Sequence, residues 1–149
     1  CPDDKVFDNP ANMEETIKKY CKDHNQPAIE TRGQLVRCIF ESLALRYRQV
    51  LENLQRLSPN PIEVLHVIGG GSRNDLLNQW TTNAIGIPVV AGPSEAIGNI
   101  MIQAVAAGQA ADIASMRQLL SHAIHLKTFY PEHKETWDVA YLQFKTITQ

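Results

Sequence analysis

The chain has 149 residues, enough for one domain with a core and too few for two. Its 14 basic residues against 16 acidic ones, with a pI near 6.2, leave no electrostatic footprint for nucleic acid, and no local Lys/Arg cluster supplies one. Apolar runs of about five residues fall far below the roughly 18 that a membrane-spanning helix needs, and no signal-type segment opens the chain, so a soluble, cytoplasmic protein is expected.

Cys1-Pro2-Asp3-Asp4 begins without a Met, and a piece of something longer is expected. Asn9-Pro10 should open a helix, since Pro suits a first turn, with Met13, Ile17, Tyr20 and Cys21 on one face and Asn25-Gln26-Pro27 as the stop after His24. Residues 26–30 read as extended, because Pro27 biases its predecessor away from helix. Thr31-Arg32-Gly33-Gln34 has the form of a capping box, in which the Thr hydroxyl serves one orphan amide and Gln34 reaches back to another. The long helix that follows carries Val36, Ile39, Phe40, Leu43, Ala44, Tyr47, Val50, Leu51 and Leu54 at a period of about 3.6 residues and stops at Ser58-Pro59-Asn60-Pro61. Arg37, Glu41, Arg48 and Glu52 lie mostly off that stripe and read as a solvated face with weak pairs.

Residues 64–68 are nearly continuously apolar, which suits a strand covered on both faces, and His66 within them reads as a half-buried core histidine. Three glycines follow. A helix is then expected from near Arg73, with Leu76, Leu77, Trp80 and Ala84 inward and a stop before Gly86. Residues 87–90 form a second short strand, and Pro88 makes it an edge or a strand end. Ser94 is the expected N-cap of a third helix with Ile97, Met101, Ala104 and Val105 inward and Gly108 as its stop. Ser115-Met116-Arg117-Gln118 reads as another capping box, for a short helix to about His122, and the stretch through Tyr130-Pro131 as irregular. Trp137, Ala140, Tyr141 and Phe144 stripe a final helix. This order predicts an α/β unit, helix-rich, with two parallel strands joined by a right-handed crossover. Two strands are few for so many helices, a second sign that further strands lie upstream of this sequence.

The chemistry centres on residues 64–78. A strand running into Gly69-Gly70-Gly71 and then a helix start offers positive φ, close approach to bare backbone, free N–H groups and a positive dipole end. Gly69 and Gly71 fit the first two positions of the dinucleotide fingerprint, Asn74 occupies the third, and no Gly-Lys-Ser/Thr follows, so a P-loop is excluded. Asn74 can donate and accept, as a purine edge or ribose hydroxyl requires, but a simple capping role is equally open to it. A tight turn with no ligand also stays open, as does a dinucleotide module using Glu95 on a ribose. Cys1, Cys21 and Cys38 show no C-x-x-C spacing and read as packing residues. No His among His24, His66, His122, His125 and His133 pairs at metal spacing, so no metal-ligating residue is assigned.

The segment Val67-Ile68-Gly69-Gly70-Gly71-Ser72-Arg73-Asn74-Asp75-Leu76-Leu77-Asn78-Gln79, with Gly86-Ile87-Pro88-Val89-Val90-Ala91-Gly92-Pro93-Ser94-Glu95-Ala96 and Ile97-Gly98-Asn99, resembles the C-terminal domain of the FGGY carbohydrate kinases. Arg37 to Ala44 resembles the family's helix before the glycine strand, and Phe7, Pro10 and Met13 match a pattern of the branch that phosphorylates L-rhamnulose at its 1-hydroxyl. The resemblance implies the latter part of the second domain of an actin-like, hexokinase-like ATPase (ribonuclease H-like), with ATP and Mg2+ bound across a cleft. It implies adenosine contacts at Gly70 and Asn74, with Gly69, Gly71 and Ser72 shaping the turn. The family's sugar contacts, first phosphate loop and catalytic base have no counterpart here, so no catalytic residue is assigned, sugar contact is expected only through a missing N-terminal domain, and the isolated piece is expected to be inactive. The oligomeric state is open, and so is a different sugar within the family. One departure is the loss of two small residues before Ile97. Two residues turn a helix face by roughly 200°, so the loss is expected to be absorbed in the preceding loop.

Overall fold

The computed structural model describes residues 1–92, 102–109, 112, 114, 115 and 126–148. The longest element is the one the capping box starts. Thr31 Oγ1 accepts from Gln34 N at 3.2 Å and Gln34 Oε1 accepts from Thr31 N at 2.9 Å, launching the helix Arg32–Leu57. In chain order, α1 is Met13–Asp23, α2 is that helix, Arg32–Leu57, α3 is Asp75–Ile85 and α4 is Lys134–Thr148. A 3-10 turn, Lys5–Phe7, precedes α1.

Helix α1 starts later than its proline suggests. Asn12 Oδ1 accepts from Glu15 N at 3.2 Å, so Asn12 is the N-cap and Pro10 lies outside the helix. A side-chain oxygen that satisfies an orphan amide is a stronger start signal than a permissive proline. Cys21 is buried, with its Sγ 4.0 Å from Cys38 Sγ on α2.

Three strands form one sheet, β1 (Leu65–Val67), β2 (Val89–Ala91) and β3 (Lys127–Phe129), in the order β1-β2-β3. β1 and β2 are parallel, pairing Leu65 with Val89 and Val67 with Ala91. β3 is antiparallel to β2, so the sheet is mixed rather than parallel, and residues read as irregular supply its third strand. Lys127-Thr128-Phe129 is too short to show a period of its own; its pairing with β2 defines it. β2 is central, with Val89 fully buried, and Pro88 sits just ahead of it, where its carbonyl accepts from Leu65 N at 3.0 Å. The strand-end reading of Pro88 therefore holds and the edge reading does not. β1 and β3 are the strands at the sheet margins among the described residues. His66 is exposed and Ile68 is 59% exposed, so the expectations of a strand covered on both faces and of a core histidine fail.

Two cores meet at α3. Ala44 and Leu45 of α2, Ala84 of α3 and Tyr141 and Phe144 of α4 form one, flanked by Trp80 and Trp137, whose ring centroids are 6.2 Å apart. Val89, Ala91 and Phe129 form the other, with Leu65, Val67 and Ile85 against them. Ala84 and Trp80 meet the first core as expected, but the rest of the buried side of α3 is polar. Asn78, Thr81, Thr82 and Asn83 are buried and Leu76 is exposed. The reason lies in the loops α3 holds: Thr82 Oγ1 donates to Ile87 O at 2.7 Å and Phe129 O at 3.2 Å, and Asn83 Oδ1 accepts from Glu132 N at 2.9 Å.

Of the charges of α2, Arg37 and Glu41 form the exposed pair expected, whereas Arg48 and Glu52 do not lie on a solvated face. Arg48 bonds Asp138 of α4 at 2.7 Å, lies 4.3 Å over the Tyr141 ring and pairs with Glu52, which accepts from the Tyr141 hydroxyl at 2.8 Å. Val36, Tyr47, Val50, Leu54 and Leu57 of the apolar stripe are exposed instead. Residues 102–106 are helical and Gly108, at φ 70°, ends them as expected, its N–H bonding Val105 O at 3.0 Å. Ser115 is not a cap: Asp112 Oδ1 accepts from its N–H at 2.7 Å. The expected Ser94 cap, Glu95, Ile97, Gly98, Asn99, Met101 and the two-residue departure lie outside the described residues. No helix among the described residues is long and apolar enough to cross a membrane.

Candidate nucleotide site

The glycine turn is built between the end of β1 and the start of α3. Gly69 has φ 80° and ψ −157°, a region essentially closed to other residues, and this turns the chain off the strand. Gly70–Arg73 then form a 3-10 turn, so α3 begins at Asp75 rather than near Arg73. Ser72 N and Ser72 Oγ both donate to Gly69 O, at 3.2 Å and 2.7 Å, and Asn74 N donates to Gly71 O at 3.1 Å. Both Ser72 donors thus close the turn on Gly69.

Positive φ is required only at Gly69 of the three glycines. A Cβ on Gly71 would rest at an ordinary 3.9 Å from Val67 Cγ1, and one on Gly70 would meet nothing within 4 Å. Neither the backbone angle nor a neighbour explains a glycine at position 70. No described residue accepts a hydrogen bond from the N–H of Gly70 or Gly71. Toward the described residues the turn therefore shows bare backbone with unclaimed donors, which is the form that lets a ligand approach the main chain closely.

Asn74 borders this space as the N-cap of α3. Its Oδ1 accepts from Leu77 N at 3.0 Å, so the capping role is real and uses the oxygen. The amide NH2 donates to no described residue, so among them that donor is not spent. Asp75 occupies the first turn of α3, where its carboxylate, paired with Lys127 at 2.6 Å, already takes the favourable end of the dipole.

One site residue was missed. Asn78 is 2% exposed and its Nδ2 donates to Ser72 O at 3.0 Å and Gly71 O at 3.4 Å, tying the turn to α3. Its spacing of four residues from Asn74, on the same helical face and leaning toward the N-terminus, was the available signal.

Residues 1–107 match the family model described as the FGGY family of carbohydrate kinases, C-terminal domain. The chain belongs to this family. It is 68% identical over 150 aligned positions to a rhamnulokinase of Bacteroides thetaiotaomicron, covering 99% of this chain and 31% of that protein. A rhamnulokinase of Pectobacterium carotovorum is 42% identical, with 99% of this chain and 30% of that protein covered. The FGGY chain thus spans about a third of the length of these relatives. The crystal structure of xylulose kinase from Rhodospirillum rubrum superposes with a TM-score of 0.62 at 21% identity, over 79% of this chain and 24% of that one. At that identity the likeness shows the fold, that of an actin-like ATPase, and the mixed three-stranded sheet described above is this chain's share of it.

Proposed function

We propose that this chain is the latter part of the nucleotide-binding domain of a kinase that, at full length, transfers a phosphoryl group from ATP to the 1-hydroxyl of L-rhamnulose. The single observation that carries the adenosine role is Gly70: open space where a Cβ would stand, beside backbone N–H groups and an Asn74 amide donor that no described residue accepts from. The choice of sugar rests on the 68% and 42% identical rhamnulokinases.

ATP supplies the transferred γ-phosphoryl group when bound. The work of this chain is positional: Gly69 turns the backbone, Ser72 holds the turn, Gly70 and Gly71 admit the nucleoside, and Asn74 donates to it. Fixing one end of the nucleotide sets the other at its distance from the sugar, and phosphoryl transfer depends chiefly on such placement and on charge stabilisation. No carboxylate of this chain is assigned to Mg2+ or to the base; among the described residues no group of three His, Cys, Asp or Glu side chains is gathered for a metal. Those groups and the sugar contacts belong, in this reading, to the rest of a chain as long as its relatives, acting in the cytoplasm where ATP is held. The dinucleotide-module alternative loses ground to the family match and to Asn74 capping α3 where a third glycine would pack.

The test is turnover by the full-length protein. ATP with L-rhamnulose should give ADP and the sugar 1-phosphate, while the 149-residue chain alone gives none. A full-length protein that phosphorylates another ketose and leaves L-rhamnulose untouched would overturn the substrate assignment.

A further inference from the structure

A buried side-chain amide needs a reason, since an apolar residue of similar size would fill the same space without hydrogen-bonding demands. Asn78 is such a residue, 2% exposed. Its backbone N–H is spent inside the helix, on Asn74 O at 3.0 Å. Its side-chain Nδ2 reaches the carbonyls of Ser72 and Gly71 at 3.0 Å and 3.4 Å. Gly70 and Gly71 have no side chains with which to hold the turn, and a Cβ at either would touch nothing closer than 3.9 Å. The remaining internal bonds of the turn, from Ser72 to Gly69 O, set its shape but not its place relative to α3. The bond from Asn74 N to Gly71 O and the two from Asn78 make that connection.

We propose that Asn78 is a positioning residue for nucleotide binding, holding the glycine turn at the distance from the Asn74 amide that an adenosine moiety requires. It touches no ligand and acts through the turn. The inference rests on the adenosine reading given above, and the experiment separates the two.

In the full-length kinase, Asn78→Asp keeps the shape and sets a carboxylate against two carbonyl oxygens, Asn78→Ser leaves a smaller group with a single donor, and Gly70→Val blocks the open face of the turn. Asn78→Asp should raise KM for ATP by about tenfold, the equivalent of one well-made hydrogen bond. Asn78→Ser should raise it by roughly threefold, and its measurement stands if the Asp variant does not fold. The KM for sugar stays unchanged in both, and kcat stays within about twofold, because a uniform loss of nucleotide binding leaves the chemical step alone. The Asp variant has one further signature. A carboxyl facing carbonyl oxygens takes up a proton more readily and then donates again, so its KM ratio to wild type narrows as pH falls. If Gly70→Val raises KM for ATP while both Asn78 variants only lower the melting temperature, the positioning role is overturned and the adenosine reading stands. If Gly70→Val also leaves KM for ATP unchanged, the turn is not the adenosine site and both fall.

Discussion

Removing one hydroxyl, by Tyr141→Phe, probes how α2 is held to α4. Tyr141 is 2% exposed, its ring lies under Arg48 at 4.3 Å, and its hydroxyl donates to Glu52 at 2.8 Å. Burial first, and then the Glu52 carboxylate, push the hydroxyl's pKa up to about 12 from 10.0. That difference, about 2.7 kcal/mol, is chiefly the penalty burial sets on the ionised form, so it bounds the stability lost as the hydroxyl ionises rather than its contribution at neutral pH. At neutral pH the hydroxyl contributes its hydrogen bond to a charged acceptor, roughly 1–2 kcal/mol with the Glu52 side chain 39% exposed. The raised pKa means the folded state favours the protonated hydroxyl. Its contribution is complete below pH 10, the unfolded value, and is lost as pH rises through about 12. Urea melts of wild type and variant should differ by roughly 1–2 kcal/mol at about pH 8, with equal m-values, and the gap should shrink above about pH 10. Equal midpoints near pH 8, or a gap that persists unchanged to the highest pH, would refute the argument.

Thr82→Val keeps the shape of a buried side chain and removes the donor to Ile87 O and Phe129 O, so it should cost roughly 1–3 kcal/mol and loosen β3, read as faster hydrogen exchange across residues 127–129. Gly69→Ala should lower stability by about 1–3 kcal/mol, since φ 80° with ψ −157° strains any Cβ, whereas Gly70→Ala should leave the melting temperature within a degree or so. Lys134 and then Arg48 hold the Asp138 carboxyl below its ordinary value, so the stability it adds is present above pH 3.8 and is lost as pH falls through its lower folded value; Asp138→Asn should flatten that acid limb of a denaturation profile.

Much of the frame could be read from local chemistry. The Thr31 box, the Pro-bounded end of α2, the Gly108 stop and the stripe of α4 depend on neighbours in sequence, and sequence displays them. What escaped depends on distant partners. β3 has three residues and exists because β2 pairs with it; α3 turns Thr82 and Asn83 inward because loops 45 to 50 residues away need donors and acceptors. The polar inward face of α2 escaped for the same reason, since Arg48 meets Asp138 and Glu52 meets Tyr141 only after α4 docks. At the site, the glycines and Asn74 were legible as a strand-turn-helix, but which glycine the backbone demands was not. Gly69 carries the strain, Gly70 carries the opening, and Asn78 behind them is legible only once the turn is seen.

The most direct measurement is hydrogen exchange of the peptide spanning residues 65–78 in the full-length kinase, with and without ADP. Exchange at the Gly70 and Gly71 amides, which no described residue now accepts from, should slow on ADP addition and stay unchanged with L-rhamnulose alone. Exchange in that peptide indifferent to saturating ADP would contradict the assignment of the glycine turn to adenosine.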